Sequence, residues 1–371
     1  MFRPGGSSFC QILCLAALLG VAAHTTDAAA PQSGDLRVCP EPESAPTACS
    51  FASLQAALAQ ARPGQTILVA PGTYREGVKI AVPGVTIRGE PGAHFTERVY
   101  NGKGIFTVTA PDVTIEGIEF SKASARDGNG AAIRLETPRA TIRGNRFRDN
   151  QMHILGGTAG TPSRIVIEDN RMTGTVPSGN YNHGVYISKK VEGDLEFRRN
   201  SVIGTSGQGH GLKTGAGRNV IEDNVIAQLD GDGSLCIDIV VGGHSEIRNN
   251  VCQVGPNRDN RNLLGIALSG HKTAYPKRQP DFTLIEGNTF IIDGDGTSRN
   301  CLLITETPGP IVVTGNKLVG PFEGCQGLSE PLGVRLDYLL GLPLAATRAN
   351  NRLFADRQAA GLPAYPDLPS P

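Results

Sequence analysis

Tyr186, Lys213 and Asp238 stand at matching places in three phrases, Asn182-His-Gly-Val-Tyr, Gly209-His-Gly-Leu-Lys-Thr and Cys236-Ile-Asp. A phenol, an ammonium and a carboxylate brought together can donate a proton, accept one and neutralise developing charge. His183 and His210 sit two residues before Val185 and Leu212, so a pair of imidazoles accompanies them. Breaking a polymer by β-elimination beside a carboxylate asks for such a set. A cation must neutralise the carboxylate, a base must take a weakly acidic C–H proton, and an acid must assist the departing oxygen. Lys213 or His210 is expected as base or carboxylate neutraliser, Tyr186 as proton donor and Asp238 as the orienting group, with His183 beside them. Arg134, His153, Asn182, His244 and His271 are the expected ligand contacts.

These phrases alternate with a second set that recurs along the chain. It reads Val85-Thr-Ile-Arg-Gly, Val113-Thr-Ile-Glu-Gly, Ala140-Thr-Ile-Arg-Gly-Asn, Ile165-Val-Ile-Glu-Asp-Asn and Leu195-Glu-Phe-Arg-Arg-Asn, then Asn219-Val-Ile-Glu-Asp-Asn, Ser245-Glu-Ile-Arg-Asn-Asn, Thr283-Leu-Ile-Glu-Gly-Asn and Ile311-Val-Val-Thr-Gly-Asn. The fifth residues fall at 89, 117, 144, 169, 199, 223, 249, 287 and 315. Short β-branched strands at such a period mark a solenoid, and Asn and Gly tolerate the left-handed backbone that turns each corner. Side chains alternate along a strand. With Ile133, Val185, Leu212, Ile237 and Ile266 pointing in, Arg134, Tyr186, Lys213, Asp238 and Ala267 point out, and His153 joins them if Met152 is inward. The bland readings are a solvated surface ladder and, since His183 shares the inward parity of Val185, internally bonded corner histidines.

The chain has 371 residues with 35 basic and 35 acidic side chains, 47 Gly and no Trp. A solenoid grows by adding coils, so this length does not require a second domain. Zero net charge and the lack of a basic run among aromatics exclude a polycation that seeks nucleic acid. Residues 1–28 are expected to be a secretory signal, with Arg3 ahead of an apolar stretch too short to span a bilayer; secretion or a periplasmic location follows, with no membrane anchor. Residues 29–48 form an N-terminal segment, 49–325 the solenoid, and 326–371 a C-terminal cap with a loose Pro-rich tail. Six cysteines remain beyond the signal, and neighbours are expected to pair as Cys39–Cys49, Cys236–Cys252 and Cys301–Cys325, or some to stay free and buried. Asp230-Gly-Asp-Gly and Asp293-Gly-Asp-Gly do not continue as calcium loops and read as turns. No metal or cofactor is expected, calcium staying open though no motif indicates it, and the chain is expected to act as a monomer.

The segment from Cys49 to Arg62 reads as a helix capped by Ser50 or Ser53, with Phe51, Leu54, Ala57, Leu58 and Ala61 on one face. A lone helix ahead of the first coil would cover an open sheet end. Ser53-Leu-Gln-Ala-Ala-Leu, Pro63-Gly-Gln-Thr-Ile-Leu-Val-Ala-Pro-Gly-Thr-Tyr and Val85-Thr-Ile-Arg-Gly together resemble the entrance of the pectate-lyase-like superfamily, over about residues 50–320. The resemblance implies an all-β, right-handed parallel β-helix of about nine to ten coils. It further implies a carbohydrate-active protein on an acidic polysaccharide, most readily a lyase; the superfamily also holds epimerases, hydrolases and non-catalytic scaffolds.

Overall fold

In a computed structural model the described residues are 36–40, 49–160, 162–179, 181–241, 243–260, 262–266, 282–294, 301–305, 311–322 and 350–370. The expected signal, His271 and Cys325 lie outside them. Three sheets build the molecule. The first joins eleven strands from Leu36–Val38 to Ile311–Thr314, the second nine from Val78–Ile80 to Cys301–Thr305, and the third eleven from Gly72–Tyr74 to Arg352–Phe354. Every strand pairs in parallel with the equivalent strand of the next coil, as in Ile142 to Ile167 to Phe197 to Ile221. The result is an all-β parallel β-helix whose core is a column of buried Val, Ile, Leu and Phe.

One corner explains the recurring phrase. From Gly117 onward its fifth residue takes positive φ, including Asp169, Arg199, Asp223 and Asn249 at 53–57°. The Asn that follows turns inward and stacks: Asn145, Asn170, Asn200, Asn224, Asn250, Asn288, Asn316 and Asn351 form one continuous file. Asn224 Oδ1 accepts from the Asn200 N–H at 2.8 Å and its Nδ2 at 3.1 Å, while Asn224 Nδ2 donates to the Phe197 carbonyl and Asn250 Oδ1, each at 2.8 Å. Asn224→Ala would strand several fully buried polar groups, and each such loss costs on the order of 1–3 kcal/mol. We expect a stability loss of about 3 kcal/mol, read as a lower midpoint in thermal unfolding, and a much smaller loss for Arg146→Ala on the solvent side of the neighbouring sheet.

The fourth residue of the same phrase points outward on the first sheet and alternates in sign. Arg88, Glu116, Arg143, Glu168, Arg198, Glu222, Arg248 and Glu286 are successive register partners. Glu116 bridges Arg88 and Arg143, and Glu222 bridges Arg198 at 3.1 Å and Arg248 at 3.3 Å. Cross-strand ion pairs of this kind are individually small, but they leave this face neutralised along its length.

The N-terminal end is closed. Ser53 caps the helix Leu54–Gln60 by accepting from the Ala56 N–H, and Leu54, Ala57 and Leu58 pack on the first coil. The residues read as a loose tail fold back instead. Arg357 pairs with Asp293 through both nitrogens at 2.7 Å and donates to the carbonyls of Pro363 and Asp367. Tyr365 bonds to the Asp230 carboxylate, and Leu362 covers the apolar patch formed by Val251, Ile291 and Val319. A buried guanidinium with four acceptors outweighs the disordering tendency of the prolines. Cys39–Cys49 is a disulfide, as expected. The expected Cys236–Cys252 bond is corrected: both stand as buried free thiols, hydrogen-bonded to each other, with Cys236 Sγ also directed at the Ile226 and Gln253 carbonyls.

Candidate functional site

The second sheet carries the chemistry. Register places Arg134 beside Leu155, Leu155 beside Tyr186, Tyr186 beside Lys213, Lys213 beside Asp238, and Asp238 beside Gly265. The expected ladder of Tyr186, Lys213 and Asp238 is therefore on consecutive coils, with strands about 4.8 Å apart. The end of the column is shifted by two residues from the sequence reading, since Ile237 pairs with Leu264 and Gly265 takes the place expected for Ala267.

His153 does not join this column. The N–H groups of His153 and Ile154 both converge on the Gly184 carbonyl, at 3.1 and 3.4 Å, and strict alternation breaks at this strand start. The neighbouring coil breaks it at the same place, with Ala131 turned out and Ala132 and Ile133 turned in. Met152 turns out toward Leu155 and Tyr186, while His153 turns in, 1% exposed, against Phe147 and the Asn150 side chain. Burial lowers its pKa to about 3, which keeps it neutral.

His183 and His210 stack with centroids 4.9 Å apart. The His210 N–H donates to His183 Nδ1 at 2.9 Å, and the Leu235 N–H donates to His210 Nδ1 at 3.1 Å. Two backbone donors thus fix both neutral rings with the proton on Nε2. Burial, with Lys213 nearby, lowers the pKa of His210 to about 3, and burial, then His210 and Lys213, holds His183 well below its ordinary value. His210 Nε2 faces Asp238 Oδ2 at 3.4 Å, and Lys213 Nζ lies 3.7 Å from the same oxygen. Asp238 is 5% exposed and its Oδ1 has no hydrogen-bond partner among the described residues. Desolvation pushes its pKa up to about 6 against the opposing pull of Lys213. Lys213 Nζ also sits 5.5 Å from the Tyr186 ring centre.

A cavity of about 500 Å³ opens over these strands, lined by Arg134, Tyr181, His183, Tyr186 and Lys213, with Asp127 and Asn129 on its rim. Its walls are firmly built. Gln151 Oε1 accepts from the Ala125 and Gly130 N–H groups, and Ser178 Oγ reaches the Gly128 carbonyl. Asn182 is corrected from ligand contact to wall: it is fully buried and spends its amide on Gln151 and Ser178. His244 is corrected as well, since it lies on the first sheet against Phe282 and Glu246. Sequence reading did not assign Asp127 and Asn129 to the site. They come from the Asp127-Gly-Asn-Gly turn before a second-sheet strand, and only that turn signal could have pointed to them. Tyr181, 61% exposed, stacks at 6.4 Å on His183 and offers an aromatic face to the cavity.

Among the described residues no group of His, Cys, Asp and Glu is placed to hold a metal ion, and no helix is long and apolar enough to cross a membrane. The family described as right handed beta helix region matches residues 83–252. An alginate lyase from Paenibacillus sp. str. FPU-7 superposes with a TM-score of 0.56 over 81% of this chain and 96% of that one, at 16% identity. A PL6 family polysaccharide lyase from Pseudopedobacter saltans covers 91% of this chain and 97% of its own at 13% identity, with a TM-score of 0.44. No curated protein matches the chain. At 16% identity the likeness to the alginate lyase fixes the fold alone, a right-handed β-helix.

Proposed function

We propose that this right-handed parallel β-helix is an exported carbohydrate-active protein that cleaves a uronate-containing polysaccharide by β-elimination. The observation that carries the reading is the register-fixed meeting of Tyr186, Lys213 and Asp238 beside a cavity lined mostly by polar side chains. In the reaction the C5–H bond breaks, its electron pair becomes the C4=C5 double bond, and the C4–O bond leaves with its pair on oxygen. Charge builds on the carboxylate next to C5. Lys213 and Arg134 are the cations that would neutralise it. Tyr186 stands between them in the column; as phenolate it would take the C5 proton and as phenol return it to the leaving oxygen, so the step needs neither water nor oxidant. Asp238 holds Lys213 in place. His210 moves from candidate base to support, because its Nδ1 lone pair is occupied by the Leu235 N–H.

Hydrolysis would need two carboxylates flanking the bond. Asp230 is held by Tyr365, Asp232 accepts from the Gly207 N–H, and neither lines the cavity. The disulfide Cys39–Cys49 supports export, since such bonds persist in oxidising compartments. Proton NMR of the purified protein with alginate, pectate and glucuronan in deuterated buffer tests the reading, and the alginate lyase that shares the fold makes alginate the first to try. New alkene signals are the expected result. Loss of H5 intensity without cleavage would make the protein a C5 epimerase, new reducing ends without alkene a hydrolase, and binding with no change a carbohydrate-binding scaffold.

A further inference from the structure

The cavity beside Tyr186 has a twin. A second cavity, of about 460 Å³, is lined by Glu136, Thr158, Ser188 and Lys190, and both cavities share Arg134, Leu155 and Tyr186. The shared residues are register partners and form a single column. Residues of the first cavity lie toward the starts of the second-sheet strands, such as His183 before Val185–Ile187. Residues of the second lie toward their ends, such as Ser188 and Lys190 after the same strand. The two hollows are therefore displaced along the strand direction, with the column as a waist between them. Each is within the size range of a small-ligand site.

Charge is shared out in the same way. Lys213 serves the first cavity, Lys190 the second, and Arg134 both. Glu136, the carboxylate of the second cavity, is already paired with Lys103 at 2.5 Å. Ser188 Oγ accepts from the Lys190 N–H at 3.2 Å, which leaves its hydroxyl proton to donate to a ligand. The floor is backbone, because Gly156 and Gly157 lie there at φ 131° and 98° and an added Cβ would strike Leu135 and Val191.

Building on the polysaccharide reading of the same site, we infer that the substrate is a linear polyuronate lying parallel to the strands and transverse to the solenoid axis, with acidic sugars on both sides of the cleaved bond. The Lys213 cavity takes the sugar that loses its proton. The Lys190 cavity binds a neighbouring uronate and contributes affinity, not chemistry.

Lys190→Ala tests this on alginate, pectate and their oligomers of graded length. For the polymer that the wild type cleaves, KM should rise about tenfold with kcat kept, the mark of lost uniform binding. The shortest cleavable oligomer, which must place one sugar on each side of the broken bond, should show the same rise. Unchanged KM at every length, or an equal loss of kcat at every length, would overturn the inference while leaving the lyase reading intact. If the wild type binds a uronate polymer without cleaving it, the reaction falls; a tenfold weaker Kd for Lys190→Ala then still supports the transverse site, and an unchanged Kd overturns it. A wild type that neither binds nor cleaves any uronate polymer removes both.

Discussion

Lys213→Ala is expected to lower turnover of a uronate polymer by about a thousandfold or more, with the solenoid still folded. Removing a preorganised charge stabiliser typically costs 10²–10³ in rate, and disturbing the proton transfer it supports adds to that. Lys213 fills both roles by position, 3.7 Å from the Asp238 carboxylate and 5.5 Å from the Tyr186 ring. The fold should survive because Lys213 lies outside the core and its partner can take up a proton when left alone. Initial rates of ultraviolet absorbance by the unsaturated product, beside circular dichroism, check the prediction. Retained activity in a folded variant would remove Lys213 from the mechanism, and a restored rate in Lys213→Arg would mark charge as its contribution.

The second large effect is on stability and depends on pH. Asp238 has a folded pKa of about 6 against an ordinary value of 3.8, because burial disfavours the carboxylate. A raised folded pKa gives stability that is complete below the unfolded value and is lost as pH rises through the folded one. Between about pH 4 and pH 7 the wild type should thus lose on the order of 3 kcal/mol from this group. Asp238→Asn, which cannot ionise, should be more stable than the wild type at pH 8 by about that amount and nearly equal to it at pH 4. His153, His183 and His210 act in the opposite sense, since their folded pKa values are depressed by burial. The unfolded chain binds their protons first, so stability falls as pH drops below about 6.5. Thermal midpoints of both proteins from pH 4 to 8 separate these opposing slopes. A difference between them that does not change with pH would show that Asp238 is ionised throughout.

The repeat was legible because corner geometry is written in residue type. A positive-φ residue followed by an inward Asn needs Gly, Asn or Asp often enough to leave a visible period. The column was legible because alternation on a parallel strand is a strict rule wherever the backbone is regular, and register then puts Tyr186, Lys213 and Asp238 in line. His153 failed because alternation breaks where the strand starts, without altering the apolar pattern around it. His244 failed for a related reason: it opens a first-sheet phrase, and nearness in sequence to Asp238 says nothing about which sheet its side chain faces. The folding back of the tail was hidden because a single arginine, Arg357, supplies most of its polar anchoring, and one residue makes no pattern.

The alternating charges on the first sheet have a further consequence for how this molecule can change length. Removing the one coil that carries Arg198 would set Glu168 against Glu222, like charge on like charge, whereas removing two would bring Glu168 to Arg248 and restore the pairing. The asparagine file is blind to this difference, since every rung is identical. Coil number therefore carries a parity: the solenoid should tolerate insertions and deletions of turns in pairs and resist them singly, and shuffled or duplicated versions should keep their register best when an even number of turns is moved.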